Sequence, residues 1–233
     1  MTETTPALPV PYFLARPAHA TARPGAAVIV LQEGNGISPQ LLRVCERLAR
    51  EGYLVAAPDL FHQLGGPDPV RAGEQYPALT VEDALADIAD VVAQLRGLGA
   101  ERIGVTGFCM GGRMTYETAT SEIDVQCAAP FYGGGIGRAL GTLTCPTLLL
   151  YGGQDEYVPM TEIEAVQAHH PDAVVVYPDA GHGFFRDGSD SYDEAAATDA
   201  WHRLTGLFAA HLGCGRGRGR TAPPQPEPPL LER

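Results

Sequence analysis

Three residues carry the chemistry that this sequence can offer: Cys109, Asp155 and His182. A thiol attacks a carbonyl as thiolate, and a free cysteine, with a reference pKa of about 8.5, is mostly protonated near neutrality. It therefore needs a base or a positive field beside it. An imidazole can take that proton, and a buried carboxylate fixes the tautomer that does so. Each of the three follows a stretch that reads as a β-strand. Cys109 follows the run from Arg102 to Thr106, Asp155 follows the strand ending at Tyr151, and His182 follows the strand ending at Tyr177. In a parallel sheet the ends of successive strands share one edge, so the three can converge although 73 positions separate the outer two.

The stretch around Cys109 supports this most strongly. Ile103-Gly104-Val105-Thr106 enters Gly107-Phe108-Cys109-Met110-Gly111-Gly112, and Arg113 to Glu117 then reads as helix. Strand, tight turn and helix with the reactive residue at the tip is the layout of a nucleophile elbow. Gly107 and Gly111 lack a Cβ, which such a turn requires of its neighbours. The helix start aims N–H groups at an oxyanion formed beside the nucleophile.

The elements that must position these groups alternate along the chain. Ala26 to Leu31, Tyr53 to Ala57, Arg102 to Thr106, Val125 to Phe131, Pro146 to Leu150 and Val174 to Tyr177 read as strands, most of them apolar throughout, as in strands buried on both faces. Pro11 to Arg16 reads as a short edge strand. Helices are expected from the Ser38-Pro39 start to Glu51, from Thr80 to about Leu95, over Thr161 to His169, and over Tyr192 to Leu212. Alternating strands and helices predict an α/β fold with a mostly parallel sheet and helices on both faces. Between the second strand and the Thr80 helix lies a loop of about twenty residues with Pro67, Pro69, Gly73 and Pro77. A loop that long in a compact domain is expected to be functional or disordered.

Residues 1–212 form the expected domain, and 213–233 are expected to be a disordered tail, rich in Gly, Arg and Pro. The net charge is −12, and the 16 basic residues are all arginine. An acidic chain without a basic stripe argues against nucleic acid and anionic membranes as partners. Without lysine there is no Schiff base and no Walker-type phosphate site. No apolar run is long enough to span a membrane, and the N-terminus lacks the basic residues of a secretory signal. Five scattered cysteines, with no C-x-x-C pair, suggest reduced thiols in a cytoplasmic protein. His169-His170 reads as a helix end rather than a metal site. Cys45, Cys127 and Cys145 fit core positions, and Arg113 reads as structural.

Gly107-Phe108-Cys109-Met110-Gly111-Gly112, Gly152-Gly153-Gln154-Asp155-Glu156-Tyr157-Val158-Pro159 and Gly181-His182-Gly183-Phe184 together resemble the dienelactone hydrolase family, over about residues 10–212. The cysteine elbow is the specific part, since most of the α/β-hydrolase superfamily carries serine there. The resemblance implies an α/β-hydrolase fold with a Cys-His-Asp triad and no cofactor. It also implies a role for Glu33 of the Gln32-Glu33 pair, which in the family lies beside the thiol and helps activate it when substrate binds. The oxyanion N–H groups map to Met110 and Gly34, where the family usually has a bulkier apolar residue. Gly34 is therefore expected to open part of the pocket wall.

Family substrates carry a carboxylate beside a lactone. Arg186, and more loosely Arg71, match the arginines that bind it, and Tyr76 could line the same pocket. The resemblance leans toward a monomer acting on a small ester or lactone. Two alternatives stand beside it: a general carboxylesterase or thioesterase of the same fold, and a non-catalytic thiol sensor.

Overall fold

The computed structural model describes residues 9–18, 22–23, 25–66, 68 and 70–213. The expected tail lies outside them, apart from Gly213. Seven strands form one sheet: β1 (Tyr12–Ala15), β2 (Ala26–Leu31), β3 (Leu54–Pro58), β4 (Arg102–Phe108), β5 (Cys127–Phe131), β6 (Leu149–Gly152) and β7 (Val174–Tyr177). Their order is β1-β3-β2-β4-β5-β6-β7. β1 runs antiparallel to β3, and every other pairing is parallel.

The six helices are α1 (Pro39–Arg50), α2 (Ala72–Ala78), α3 (Val81–Gly97), α4 (Met110–Ala119), α5 (Met160–His169) and α6 (Glu194–Leu212). Their starts follow side-chain chemistry. Ser38 Oγ accepts from the Leu41 N–H at 3.2 Å, with Pro39 at the first helical position. Thr80 Oγ1 accepts from the Asp83 N–H at 3.0 Å, and Asp193 accepts from the Ala196 N–H at 2.9 Å. These satisfy N–H groups that a helix start leaves without a partner.

Every residue of β2 is buried. Its Val28 and Val30 pack with α1 and α6 residues such as Val44 and Leu204. Ala27, Ile29 and Leu31 pack on the other face with Ile88, Val91 and Met114 of α3 and α4. An alternating strand with apolar residues on both sides thus holds two core layers apart.

The chain leaves β2 to one side to make β3, then returns to the other side to make β4. The strand order reverses between the carboxyl ends of β2 and β4, and this crevice is where open α/β sheets receive ligands.

The segment between β3 and α3 differs from the loop expected. It contains a 3₁₀ turn at His62–Leu64 and the helix α2. α2 has no apolar stripe. It is held by Gln75, whose buried side chain donates to the carbonyls of Gly66 at 2.7 Å and Leu64 at 3.2 Å. A helix fixed by one polar side chain, with Pro77 inside it, carries no apolar periodicity that would mark it in the sequence.

Candidate active site

Cys109 sits at the tip of the β4–α4 turn with φ 54° and ψ −112°, a left-handed conformation that costs a non-glycine residue about 1–3 kcal/mol. The turn is held on both sides. The Cys109 N–H donates to the Phe131 carbonyl at 3.0 Å, and the Cys109 carbonyl accepts from the Arg113 N–H at 3.0 Å. Small neighbours are obligatory. A Cβ on Gly107 would overlap the Gly111 carbonyl, and one on Gly111 would overlap the carbonyls of Leu31 and Gln32. The elbow is therefore pressed against the end of β2, which brings Glu33 to Cys109.

Asp155 and His182 meet as the spacing suggests. His182 Nδ1 lies 2.8 Å from Asp155 Oδ2. The other carboxylate oxygen, Oδ1, accepts from the N–H groups of Tyr157 at 2.8 Å and Val158 at 2.9 Å. The Asp155 side chain is fully buried, so this loop supplies the hydrogen bonds that a buried carboxylate needs. The imidazole lies between two tyrosine rings, both edge-on: Tyr132 at 5.0 Å and Tyr157 at 4.9 Å. Burial alone would lower the His182 pKa. Hydrogen bonds to Asp155 and to Cys109 outweigh it, with their negative charges, and push the pKa up to about 9. The imidazole is thus placed to receive the thiol proton and, once charged, to stabilise the thiolate.

Glu33 is buried, and Arg186 holds it by two parallel bonds. Nε donates to Oε2 at 3.0 Å, and Nη2 donates to Oε1 at 2.9 Å. Arg186 does not pair with its neighbour Asp187, which is bonded to Arg43 on α1 instead. Tyr132 completes this group. It too has a left-handed backbone, with φ 37°. Its buried hydroxyl has no hydrogen-bond partner among the described residues. Burial first, and then the charges of Glu33 and Cys109, hold its pKa well above the usual tyrosine value despite Arg186, so the phenol keeps its proton.

These groups open into a cleft of about 740 Å³ lined by Glu33, Gly34, Tyr76, Cys109, Arg186 and His182, among others. Its size falls within the roughly 300–1,000 Å³ of small-molecule sites. Met110 opens α4, where first-turn N–H groups have no partner within the helix. Gly34 does not leave a gap in the wall, as its lack of a side chain suggests. The Tyr76 ring lies 3.4 Å from where a Cβ would stand, so the tyrosine occupies that side of the cleft.

Arg71 does not reach the cleft, contrary to the expectation that it binds substrate. It caps the start of α2, lies against Gly65 and pairs with Glu74 at 3.7 Å. The geometry of α2 explains this, because it turns Gly73 and Tyr76 inward and leaves Arg71 on the outer side. Conversely, Arg113 lines the cleft, where the sequence suggested only a structural role. Tyr132, Arg138 and Tyr157 were not singled out by motif. The glycine run after β5 and the stretch between Asp155 and Pro159 were the only signals near them.

The sheet order, the elbow and the Cys109, Asp155 and His182 arrangement define an α/β-hydrolase. Comparison with known proteins narrows this. The profile of the dienelactone hydrolase family matches residues 10–212, and the chain belongs to that family. A relative from Salmonella typhimurium named "Putative carboxymethylenebutenolidase" is 35% identical, over 88% of this chain and 84% of its own. The carboxymethylenebutenolidase of Rhodococcus opacus is 29% identical over 89% and 88%. A crystal structure titled as a "Putative Dienelactone Hydrolase" from Klebsiella pneumoniae superposes with a TM-score of 0.76 at 32% identity, over 86% of this chain and 92% of that one. The protein is therefore an enzyme of a hydrolase family. Among the described residues, no helix is long and apolar enough to cross a membrane, and no group of three or more His, Cys, Asp or Glu could hold a metal ion.

Proposed function

We propose that the chain hydrolyses a carboxylate-bearing ester or lactone through a thioester on Cys109. The observation that carries this reading is the buried Glu33–Arg186 pair beside the cysteine elbow. A substrate carboxylate competes with Glu33 for the Arg186 guanidinium, whose fork suits a carboxylate. Glu33 then loses its counter-ion next to the thiol and helps draw the proton from Cys109 toward His182.

The thiolate attacks the carbonyl carbon, and the new oxyanion is received by the N–H groups of Met110 and Gly34. The intermediate collapses to a thioester as the C–O bond to the leaving group breaks, and His182 gives that oxygen its proton. Water, deprotonated by His182, then attacks the thioester and returns the thiol. Asp155 keeps Nδ1 protonated, so that Nε2 does this work. Tyr76 forms a wall of the pocket, and no cofactor enters any step.

The test is the intact mass of the protein mixed briefly with an activated ester and with an unsaturated carboxylated lactone. The expected result is a transient acyl adduct that maps to Cys109, with turnover fastest for the lactone. Turnover of neutral esters alone would keep the nucleophile and make the chain a general esterase. Full ester hydrolysis by Cys109→Ala would remove Cys109 from the reaction.

A further inference from the structure

Three arginines line the cleft: Arg113, Arg138 and Arg186. Arg186 is committed to Glu33 through both hydrogen-bonding nitrogens. Arg113 gives Nε to Glu117 at 2.6 Å, which leaves its two terminal nitrogens without a protein partner among the described residues. The guanidinium lies under Gly135, at φ +81°, where a Cβ would collide with Nη1. The glycine therefore gives Arg113 its place at the cleft. The Arg138 guanidinium, in the turn Ile136–Arg138 after β5, has no ion-pair or hydrogen-bond partner among the described residues.

Topology sets these two cations apart from the first. Glu33 follows β2, on one side of β4 and its Cys109, whereas Arg138 follows β5, on the other side. Of the other lining residues, Tyr157 and Val158 lie against Gly134, and Glu162 lies against Gly137, on this same side. We propose that Arg138 and the terminal nitrogens of Arg113 form a second anion subsite, which takes a substrate carboxylate on the opposite side of the scissile carbonyl from Arg186. The preferred substrate then carries two carboxylates flanking the ester or lactone.

The subsite suits one negative charge rather than the two of a phosphate ester. Glu162 lines the same end, and its carboxylate is engaged by the Gly137 N–H at 3.3 Å. Its charge opposes a dianion there. The subsite is also ready before substrate arrives. Arg186 must first be won from Glu33, whereas Arg138 and Arg113 present unshared donors, so this end anchors the substrate first.

The proposal rests on the ester-hydrolase reading above, and the experiment separates the two. Four esters in two matched pairs are compared. Mono-4-nitrophenyl glutarate is set against 4-nitrophenyl pentanoate, which places the carboxylate on the acyl side. 4-Acetoxybenzoate is set against 4-methylphenyl acetate, which places it on the alcohol side. The readout is the ratio of kcat/KM, carboxylated over neutral, within each pair.

Arg138→Gln is expected to lower that ratio about tenfold in one pair, mostly through KM, the size of one lost charge-assisted hydrogen bond. Arg113→Gln is expected to lower it in the same pair. Arg203→Gln, on the surface of α6, controls for bulk charge. A ratio that Arg138→Gln leaves alone in both pairs, or that Arg203→Gln lowers equally, overturns the subsite while neutral-ester turnover keeps the hydrolase. No turnover of any of the four esters by the unaltered protein overturns both.

Discussion

Glu33 and Arg186, 153 positions apart in sequence, are joined by two parallel hydrogen bonds of 2.9 and 3.0 Å at the mouth of the Cys109 elbow. The pair bears on folding as well as on the proposed chemistry. The Glu33 side chain is only 5% exposed, so Arg186→Ala leaves a nearly buried carboxylate without its partner. Loss of one partner of a fully buried pair costs about 3–5 kcal/mol. Arg186 is about one-third exposed, and solvent screening brings the expected loss down to about 1–3 kcal/mol. Urea unfolding measures it, and Glu33→Gln combined with Arg186→Ala should recover part of it. A double variant no more stable than Arg186→Ala would show that the charge is not what destabilises.

The raised His182 pKa carries a pH dependence. A folded pKa of about 9, against an ordinary value near 6.5, means that the charged imidazole favours the folded state. That contribution is fully present below about pH 6.5 and is lost as pH rises through about 9. Asp155→Asn removes one of the hydrogen bonds that raise it. NMR titration of His182 should then show its pKa moving down toward the ordinary range. An unmoved midpoint would mean that Asp155 does not hold the proton on the ring.

The left-handed backbone of Cys109 is held against its own preference. Cys109→Gly relieves it, because glycine adopts positive φ without a steric penalty. The variant should be inactive and yet more stable by about 1 kcal/mol, which is about 2–4 °C in Tm for a domain of this size. Calorimetry decides this, and a lower Tm would show that the thiol's contacts outweigh the strain.

The thiols should differ sharply in reactivity. Burial pushes Cys45 up to about 12 and raises Cys127 and Cys145, whereas Cys109 opens into the cleft beside His182, whose raised pKa favours transfer of the thiol proton to the ring. Iodoacetamide at neutral pH should therefore label Cys109 well ahead of those three, as read by peptide mass mapping. Labelling of Cys45 at a comparable rate would contradict the packing of α1.

Much of this arrangement was legible in the sequence, because it follows from local rules. Val28 and Ile29 belong to a run apolar on both faces, Ser38-Pro39 is a helix start by chemistry, and Gly107 and Gly111 frame Cys109 because nothing larger fits. What stayed hidden depends on contacts between distant segments. Arg71 immediately precedes the short helix that carries Tyr76, but only the turn set by Gln75 decides which faces the cleft. Arg113 follows Cys109 by one helical turn, and its exposure to the cleft depends on a glycine after a different strand. The orphan hydroxyl of Tyr132 has no sequence signature, because it arises from burial beside Glu33 and Arg186.

α2 meets the rest of the protein largely through a single buried amide, that of Gln75, yet it supplies Tyr76 to the cleft. The groups around the thiol stand instead on strand ends locked into the sheet. Substitutions within α2 can therefore reshape one wall of the cleft while Cys109, Asp155 and His182 stay where the strand ends put them. Divergence in diet without divergence in chemistry is the inheritance that such an architecture favours.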